Sequence, residues 1–387
     1  MTAQQRAAAN PSVSAWVSAS AGTGKTHVLM SRVLRLLLTG TPPDKLLCLT
    51  FTKAAAAEMA NRINRTLAEW AALPKDKLDQ AIAALDTPIN DDTRARARRL
   101  FAEVLDVPGG LKIQTIHSFC QFLLARFPLE AGVPPHFTVL DERTTAEALS
   151  SATEIMLIQA GLDDRGRLAR ALDRIARRLT ENSFAELMAE LVRERGALNR
   201  LRKDITTAEG VGAAVRRALN LHPGQKLSEI LAEYTDEAAF NGAALARAAS
   251  ALVDGGTAKD RDRGQVLASW LSAPSRDRFK LLGTYCAIFL TAKDEPRKSQ
   301  MTKGATALFD DGPDVMMAEA ERLCALRERE RAMEVAENTD AALAAGFSLL
   351  DLFGQDKRRR AVVDFDDLIL ETLDLLTRAG LAPWVLY

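Results

Sequence analysis

Short apolar runs and longer periodic segments alternate along the first 141 residues of the chain. Runs typical of strands lie at 15–17, 46–51, 111–115 and 137–140. The first three are followed by segments in which apolar residues recur every three or four positions, as on one buried face of a helix. These positions are Val28, Leu29, Val33, Leu36, Leu37, Met59, Ile63, Leu67, Phe119, Phe122, Leu123 and Phe127. Strands that alternate with helices predict an α/β fold with a parallel sheet and crossover helices.

From about Arg143 to Arg360 the pattern becomes helical almost throughout, with few β-branched runs. Breaks are expected at 222–224, 255–256, 273–274 and 312–313, where glycine and proline occur. A second apolar run at Val362 and Val363 is followed by a helical pattern. We therefore predict a first domain over 1–142, an all-helical insertion over 143–360, and a return to the first domain over 361–387.

A glycine-containing loop separates the first predicted strand from its helix. Its sequence ASAGTGKT, residues 19–26, is a Walker A pattern with Ala19 where a first glycine is usual. Gly22 and Gly24 allow backbone amides to turn inward around a polyphosphate at the start of the helix. We predict nucleotide contacts from Gln5, Ala19, Ser20, Ala21, Gly22, Thr23, Gly24, Lys25, Thr26 and His27. A glycine turn that arose by chance is the alternative.

Two residues of this loop are predicted to act in catalysis. The ammonium group of Lys25 would reach the β- and γ-phosphates of a nucleotide, and the hydroxyl of Thr26 would be one ligand of a magnesium ion. ATP and Mg²⁺ are therefore the expected cofactors.

Composition limits the classes of partner. Lys and Arg total 51 and Asp and Glu total 51, so the formal net charge is zero and nucleic-acid binding would require a local basic surface. The four cysteines show no CxxC spacing, which argues against a zinc site or a disulfide framework. The chain shows no signal-peptide pattern and no apolar run of membrane-spanning length. We expect a cytoplasmic protein with no membrane partner.

Three charged clusters have a bland interpretation beside a functional one. Arg167, Arg170, Arg174 and Arg177 lie on one face of a predicted helix, and a solvated face is favoured over DNA contact. For the run at 357–360 a DNA-facing loop is favoured. Asp364, Asp366 and Asp367 have the spacing of a polar turn and helix start, which is favoured over a metal site.

Two further motifs follow the second and third strands. They are LTFTKAAAAEM at 49–59 and QTIHSFC at 114–120. Together with the Walker A loop they resemble the UvrD/Rep/RecB group of superfamily-one DNA helicases. The forms ASAGTGKT and TIHSFC are similar to the RecB and AddA branch. VDFDDLILETLDLL at 362–375, with the long helical insertion, most resembles the AddA subunit of bacterial helicase-nucleases.

The resemblance implies a fold, an activity and partners. The fold is that of a P-loop NTPase, a RecA-like parallel sheet with a large all-helical insertion domain. The activity is that of an ATP-dependent DNA helicase in double-strand-break repair. The implied partners are DNA, as a single strand and a duplex junction, and an AddB-like subunit. A UvrD-like helicase without nuclease and a non-motor nucleotide-binding scaffold module are the alternatives.

Residue roles are carried over by position. Thr52 and Lys53 would contact a phosphate of single-stranded DNA. His117, Ser118 and Phe119 would combine a phosphate contact with base stacking. A core position for Phe119 and a structural hydrogen bond for His117 remain alternatives. The amide of Gln5 would read the adenine edge, although Gln4 is adjacent.

The family pattern also contains elements that the chain does not match. No DEAQD-type strand follows the VDFDDL segment, and no nuclease domain is found in the sequence. Asp141 and Glu142 imitate a carboxylate pair, but they precede the insertion and are not assigned to catalysis. We therefore expect the amino-terminal part of a longer polypeptide, with negligible ATPase activity of its own.

Overall fold

The computed structural model describes residues 2–20, 22–204, 210–222, 224–380 and 382–386. The chain forms two compact units. One comprises 1–145 with 357–387 and the other comprises 146–356, against predicted limits of 143 and 360 for the insertion. Within the described residues, no helix has the length and apolar character needed to cross a membrane.

The first unit is built from short strands and the helices that follow them. Its elements up to residue 139 are α1 (Ala3–Ala8), α2 (Lys25–Leu38), a 3-10 helix (Pro43–Lys45), β1 (Leu47–Thr50), α3 (Lys53–Ala72), α4 (Lys75–Ala83), α5 (Asp91–Asp106), β2 (Lys112–Thr115), α6 (Ile116–Arg126), α7 (Pro128–Ala131) and β3 (Thr138–Val139). β1 and β2 pair in parallel, with Thr50 opposite Thr115. The crossover from β1 to β2 is made by helices, as the alternating pattern predicts.

The second unit is helical, apart from an isolated bridge between Leu290 and Pro296. Its elements, of which α8 and α19 extend beyond the unit boundaries, are α8 (Glu142–Leu162), α9 (Arg167–Ala176), α10 (Glu181–Arg193), α11 (Arg195–Asp204), α12 (Gly210–Ala218), α13 (Leu227–Glu233), α14 (Gly242–Gly255), α15 (Ala258–Ser272), α16 (Ser275–Arg278), a 3-10 helix (Phe279–Leu281), α17 (Leu282–Phe289), α18 (Lys303–Thr306) and α19 (Gly312–Arg359). The predicted breaks at 255–256, 273–274 and 312–313 fall between these helices. At 222–224, Pro223 lies outside the described residues.

The chain then returns to the first unit. β4 (Val362–Val363), α20 (Phe365–Thr377) and α21 (Ala382–Leu386) complete the described elements. β4 pairs in parallel with β3, so that Val139 lies opposite Val363. The protein is therefore mostly helical, with two small parallel sheets in its described residues.

The strand predicted at 15–17 is wrong for this structure. Residues 12–20 form no described helix or strand. Trp16 is 96% exposed and Val17 is 45% exposed. An extended segment becomes a strand only when a neighbouring strand satisfies its backbone groups, and no described strand pairs with this one.

One apolar core joins the helix after the loop to the first parallel sheet. Val33 and Leu37 of α2 are buried with Ile63 of α3, Leu100 of α5 and Cys48 of β1. These positions match the three-and-four spacing of the sequence, because that spacing places them on one face of each helix. The core fixes the start of α2 relative to the end of β1.

Candidate functional site

The loop at 19–27 forms a turn that leads directly into α2. Gly22 and Gly24 have φ angles of +78° and +88°, in the left-handed region that other residues rarely adopt. Gly24 is the N-cap of α2 and provides no side-chain hydrogen bond to the first turn. The first turn of α2 therefore presents backbone amides and the positive end of the helix dipole to an anion.

Side chains of the loop hold this turn together. The Thr23 hydroxyl donates to the Ser20 carbonyl at 2.7 Å. The Lys25 ammonium donates to the carbonyl of Ala19 and, at 3.2 Å, to that of Ser20. Ala21 lies outside the described residues. Lys25 is thus folded over the concave side of the loop, and its contacts there are to neutral carbonyl groups.

Thr26 and His27 are exposed in the first turn of α2. Two positive-φ glycines, an uncapped helix start, a lysine and a hydroxyl together match the needs of a magnesium-bound polyphosphate. We therefore judge that the residues present fit such a group. Among the described residues there is no cluster of three or more His, Cys, Asp or Glu side chains that would hold a metal without it.

Gln5 lies beside this loop. Its side-chain amide donates to the Thr23 carbonyl at 3.3 Å, and its carbonyl oxygen accepts from the Thr2 amide at 2.9 Å within a capping box of α1. A methyl group at Gly24 would lie 3.4 Å from the Gln5 amide nitrogen, so the two residues are close neighbours. The structure thus brings Gln5, rather than a distant terminus, to the nucleotide loop.

Arg32 holds the segment that carries Gln5. Its guanidinium group donates to the carbonyls of Ala8, Asn10 and Val13 at 3.2, 2.5 and 2.6 Å. Sequence reasoning missed this residue. The only signal was an arginine on an otherwise apolar helix face, and nothing in the pattern identified its carbonyl partners.

The ends of β1 and β2 meet at one edge of their sheet, because the two strands are parallel and in register up to Thr50 and Thr115. Thr52 is exposed and caps α3, accepting from the Ala55 amide at 3.1 Å. Its hydroxyl proton therefore remains available to a phosphate. Lys53 is exposed at the first position of α3.

The residues after β2 are partly buried. The Ser118 hydroxyl pairs with the Thr115 hydroxyl at 2.8 Å, and the His117 ring meets the Phe365 ring edge-on with centroids 5.4 Å apart. Phe119 packs against the core around Cys120 and Leu124, while Phe122 is 54% exposed. The DNA contacts assigned to these positions stay predictions, and a core position for Phe119 is compatible with its packing.

Lys357 does not face solvent, so the DNA-facing interpretation of this residue was wrong. It is buried, and its ammonium group lies 2.9 Å from Asp364 and 2.6 Å from Asp367. Asp364 is the N-cap of α20 and forms a capping box with Asp367. The polar turn and helix start predicted for these aspartates are therefore present.

The remaining candidates have structural partners. The amide of Thr144 donates to Asp141 at 2.8 Å, and hydrogen bonds from Thr144 hold the pKa of the Asp141 carboxyl below its usual range. This is the chemistry of a helix cap and agrees with leaving Asp141 out of catalysis. Burial raises the pKa of the Cys48 thiol, which makes it a poor nucleophile.

Comparison with known proteins identifies the group to which these motifs point. The sequence model described as the UvrD/REP helicase N-terminal domain matches residues 1–386. The AddA-type ATP-dependent helicase/nuclease protein of Lactobacillus johnsonii is 41% identical over 133 residues, which are 34% of this chain and 9% of that protein. The corresponding protein of Lactobacillus acidophilus is 33% identical over 177 residues, 45% of this chain and 13% of that protein. The resemblance to AddA is confirmed.

The chain therefore spans only a small part of these relatives. In Enterococcus faecalis a protein of the same name is 34% identical over 128 residues, 33% of this chain and 9% of that protein. These names favour the helicase-nuclease interpretation over a helicase without nuclease and over a non-motor scaffold module.

Proposed function

Because the chain belongs to the UvrD/REP helicase family, we propose that it is the nucleotide-binding part of an ATP-dependent DNA helicase of the AddA type. The observation that carries this proposal is the loop at 19–27, with positive-φ Gly22 and Gly24, an uncapped helix start and Lys25 folded over its concave side. The full polypeptide would act in double-strand-break repair beside an AddB-like subunit.

In this proposal the loop binds ATP with Mg²⁺. The amides at the start of α2 and the Lys25 ammonium hold the phosphates, and Thr26 provides one hydroxyl ligand to the ion. The amide of Gln5 orients the adenine. When bound, ATP supplies the free energy of its hydrolysis, which the protein converts into movement along DNA.

Thr52, Lys53, His117, Ser118 and Phe119 form the proposed contact with single-stranded DNA. They follow the ends of two paired strands, and α2 shares a buried core with α3 and β1. A shift of α2 on nucleotide binding would therefore be transmitted through packed side chains to Thr52 and Lys53.

We also propose that the exposed segment 15–17 joins a larger RecA-like sheet in the full polypeptide. A tryptophan that is 96% exposed is costly next to water, and a neighbouring strand would both cover Trp16 and satisfy the backbone around it.

The test is hydrolysis of ATP by the full polypeptide in the presence of single-stranded DNA. We expect DNA to raise the rate, Lys25→Ala to abolish hydrolysis, and Lys53→Ala to raise the DNA concentration needed for half-maximal stimulation by about tenfold, roughly 1.4 kcal/mol. Lys77→Ala, which removes an exposed lysine of α4, is the matched control. Full activity of the Lys25→Ala variant would refute the proposal.

A further inference from the structure

A cleft of about 530 Å³ lies inside the helical unit, between α9 and the middle of α19. Its charged lining is Arg167, Arg170, Asp173, Arg174, Arg177, Glu337 and Asp340. The arginines are three or four positions apart, so they occupy one face of α9. The cleft has the size of a small-ligand site, about 300–1,000 Å³.

The carboxylates of this cleft are already paired with arginines. The pairs are Arg177 with Asp173 at 2.9 Å, Arg174 with Glu337 at 2.7 Å, and Arg216 of α12 with Asp340 at 2.8 Å. Arg174 also donates to the Asn338 side chain at 2.8 Å. Arg174 is thus fixed as part of the cleft wall, and the carboxylates cannot neutralise further cations without losing these pairs.

Two guanidinium groups of the cleft have no carboxylate partner in the described part of the chain. Arg170 donates to the backbone carbonyl of Arg165. Arg167 forms no hydrogen bond or ion pair with any described residue. Both side chains are exposed at the mouth of the cleft. The cleft therefore carries an excess of positive charge in a protein whose formal net charge is zero.

The start of α9 adds to this charge. Its N-cap is Gly166, which provides no side-chain hydrogen bond, and its first turn contains no acidic residue. Neighbouring like charges on a helix are destabilising, by about 0.2–0.5 kcal/mol per pair. Arginines placed three or four positions apart beside a positive helix end are thus unfavourable for α9 alone, and an anion in the cleft would remove that cost.

From this geometry we propose that the cleft binds backbone phosphates of DNA. Arg167 and Arg170 each present two or more N–H donors that match phosphate oxygens, and Arg174 is held in place by Glu337 and Asn338 beside them. Contacts of this kind do not read base sequence. The inference rests on the proposed function and extends DNA binding from the ends of β1 and β2 to the helical unit.

The experiment measures the affinity of the whole chain for labelled single-stranded and duplex DNA of equal length, at several salt concentrations. The test variant is Arg167→Gln with Arg170→Gln. The control is Arg200→Gln with Arg261→Gln, which removes the same charge from exposed positions on α11 and α15 of the same unit. We expect the test variant to bind at least about tenfold more weakly at low salt. The slope of log affinity against log salt concentration should fall by about 1.4–1.8.

Further arms separate the possible failures. The variant Arg167→Lys with Arg170→Lys keeps the charge but loses the planar donor groups, so it should lie between wild type and the test variant. The DNA form that shows the larger slope change is the one that occupies the cleft. Equal slopes for test and control variants would overturn the cleft while leaving DNA binding intact. Absence of DNA binding by the wild type would overturn the DNA-binding part of the proposed function itself. If thermal unfolding shows that the double variant is poorly folded, Arg167→Gln alone replaces it, with an expected slope change of about 0.7–0.9.

Discussion

At the scale of single residues, Arg32 connects the nucleotide loop to the segment that carries Gln5. Three carbonyl groups of residues 8–13 accept hydrogen bonds from one guanidinium group on α2. Hydrogen bonds to charged groups are worth about 1.5–3 kcal/mol when their geometry is good. Arg32 is therefore a positioning residue, which acts on the nucleotide through Gln5.

Replacing Arg32 tests this role. We expect Arg32→Gln to lower the affinity for ATP by about three- to tenfold, roughly 0.7–1.4 kcal/mol, because Gln5 is no longer held beside Thr23. Affinity for inorganic triphosphate, which has no adenine, should stay unchanged in a competition assay. Arg65→Gln, an exposed arginine on α3, is the control. Equal losses for ATP and triphosphate would show that Arg32 acts on the loop instead.

At the scale of elements, the junction between α19 and α20 depends on buried charge. The side chains of Lys357 and Asp364 are 7% and 5% exposed, and the Lys357 ammonium also lies 2.6 Å from Asp367. Removal of one partner leaves an uncompensated buried charge, which costs about 3–5 kcal/mol. This junction is more sensitive to substitution than the neighbouring exposed arginines.

We expect Lys357→Met to lower the free energy of unfolding by about 3 kcal/mol or more, measured by urea denaturation. Arg358→Met removes an exposed charge from the next position and should change it by less than about 0.5 kcal/mol. Similar effects of the two substitutions would contradict the structural role of Lys357.

α20 also carries a carboxyl that is unfavourable when ionised. Burial, and then the nearby Asp367 and Asp374, raise the pKa of Glu371 above its ordinary value of 4.5. The folded state therefore holds this proton more tightly than the unfolded state. Stability conferred by the protonated form is present below about pH 4.5 and is lost as the pH rises through the raised pKa.

Glu371→Gln should accordingly unfold at a higher temperature than wild type at pH 7, and the difference should shrink as the pH falls to 4.5 and below. Thermal unfolding across this pH range measures it. Glu69→Gln, on the exposed face of α3, controls for the loss of a negative charge. A difference that stays constant with pH would contradict the assignment to Glu371.

At the scale of the whole molecule, local patterns were predictable and distant contacts were not. The loop at 19–27, β1 and β2 follow from residues close together in sequence, since glycines and apolar runs act locally. The segment 15–17 was predicted as a strand, but a strand also needs a paired neighbour. The partners of Arg32, the contact of His117 with Phe365, and the burial of Lys357 each join residues that no periodicity relates.

The claim on which the account depends is that the residues around Gly22 and Gly24 bind a nucleotide triphosphate. Calorimetric titration of the protein with ATP and Mg²⁺ tests it directly. We expect saturable binding to one site in the wild type and in Lys77→Ala, and a loss of at least about tenfold, roughly 1.4 kcal/mol, in Lys25→Ala. Equal affinity of the Lys25→Ala variant, or no uptake of ATP by the wild type, would contradict the account.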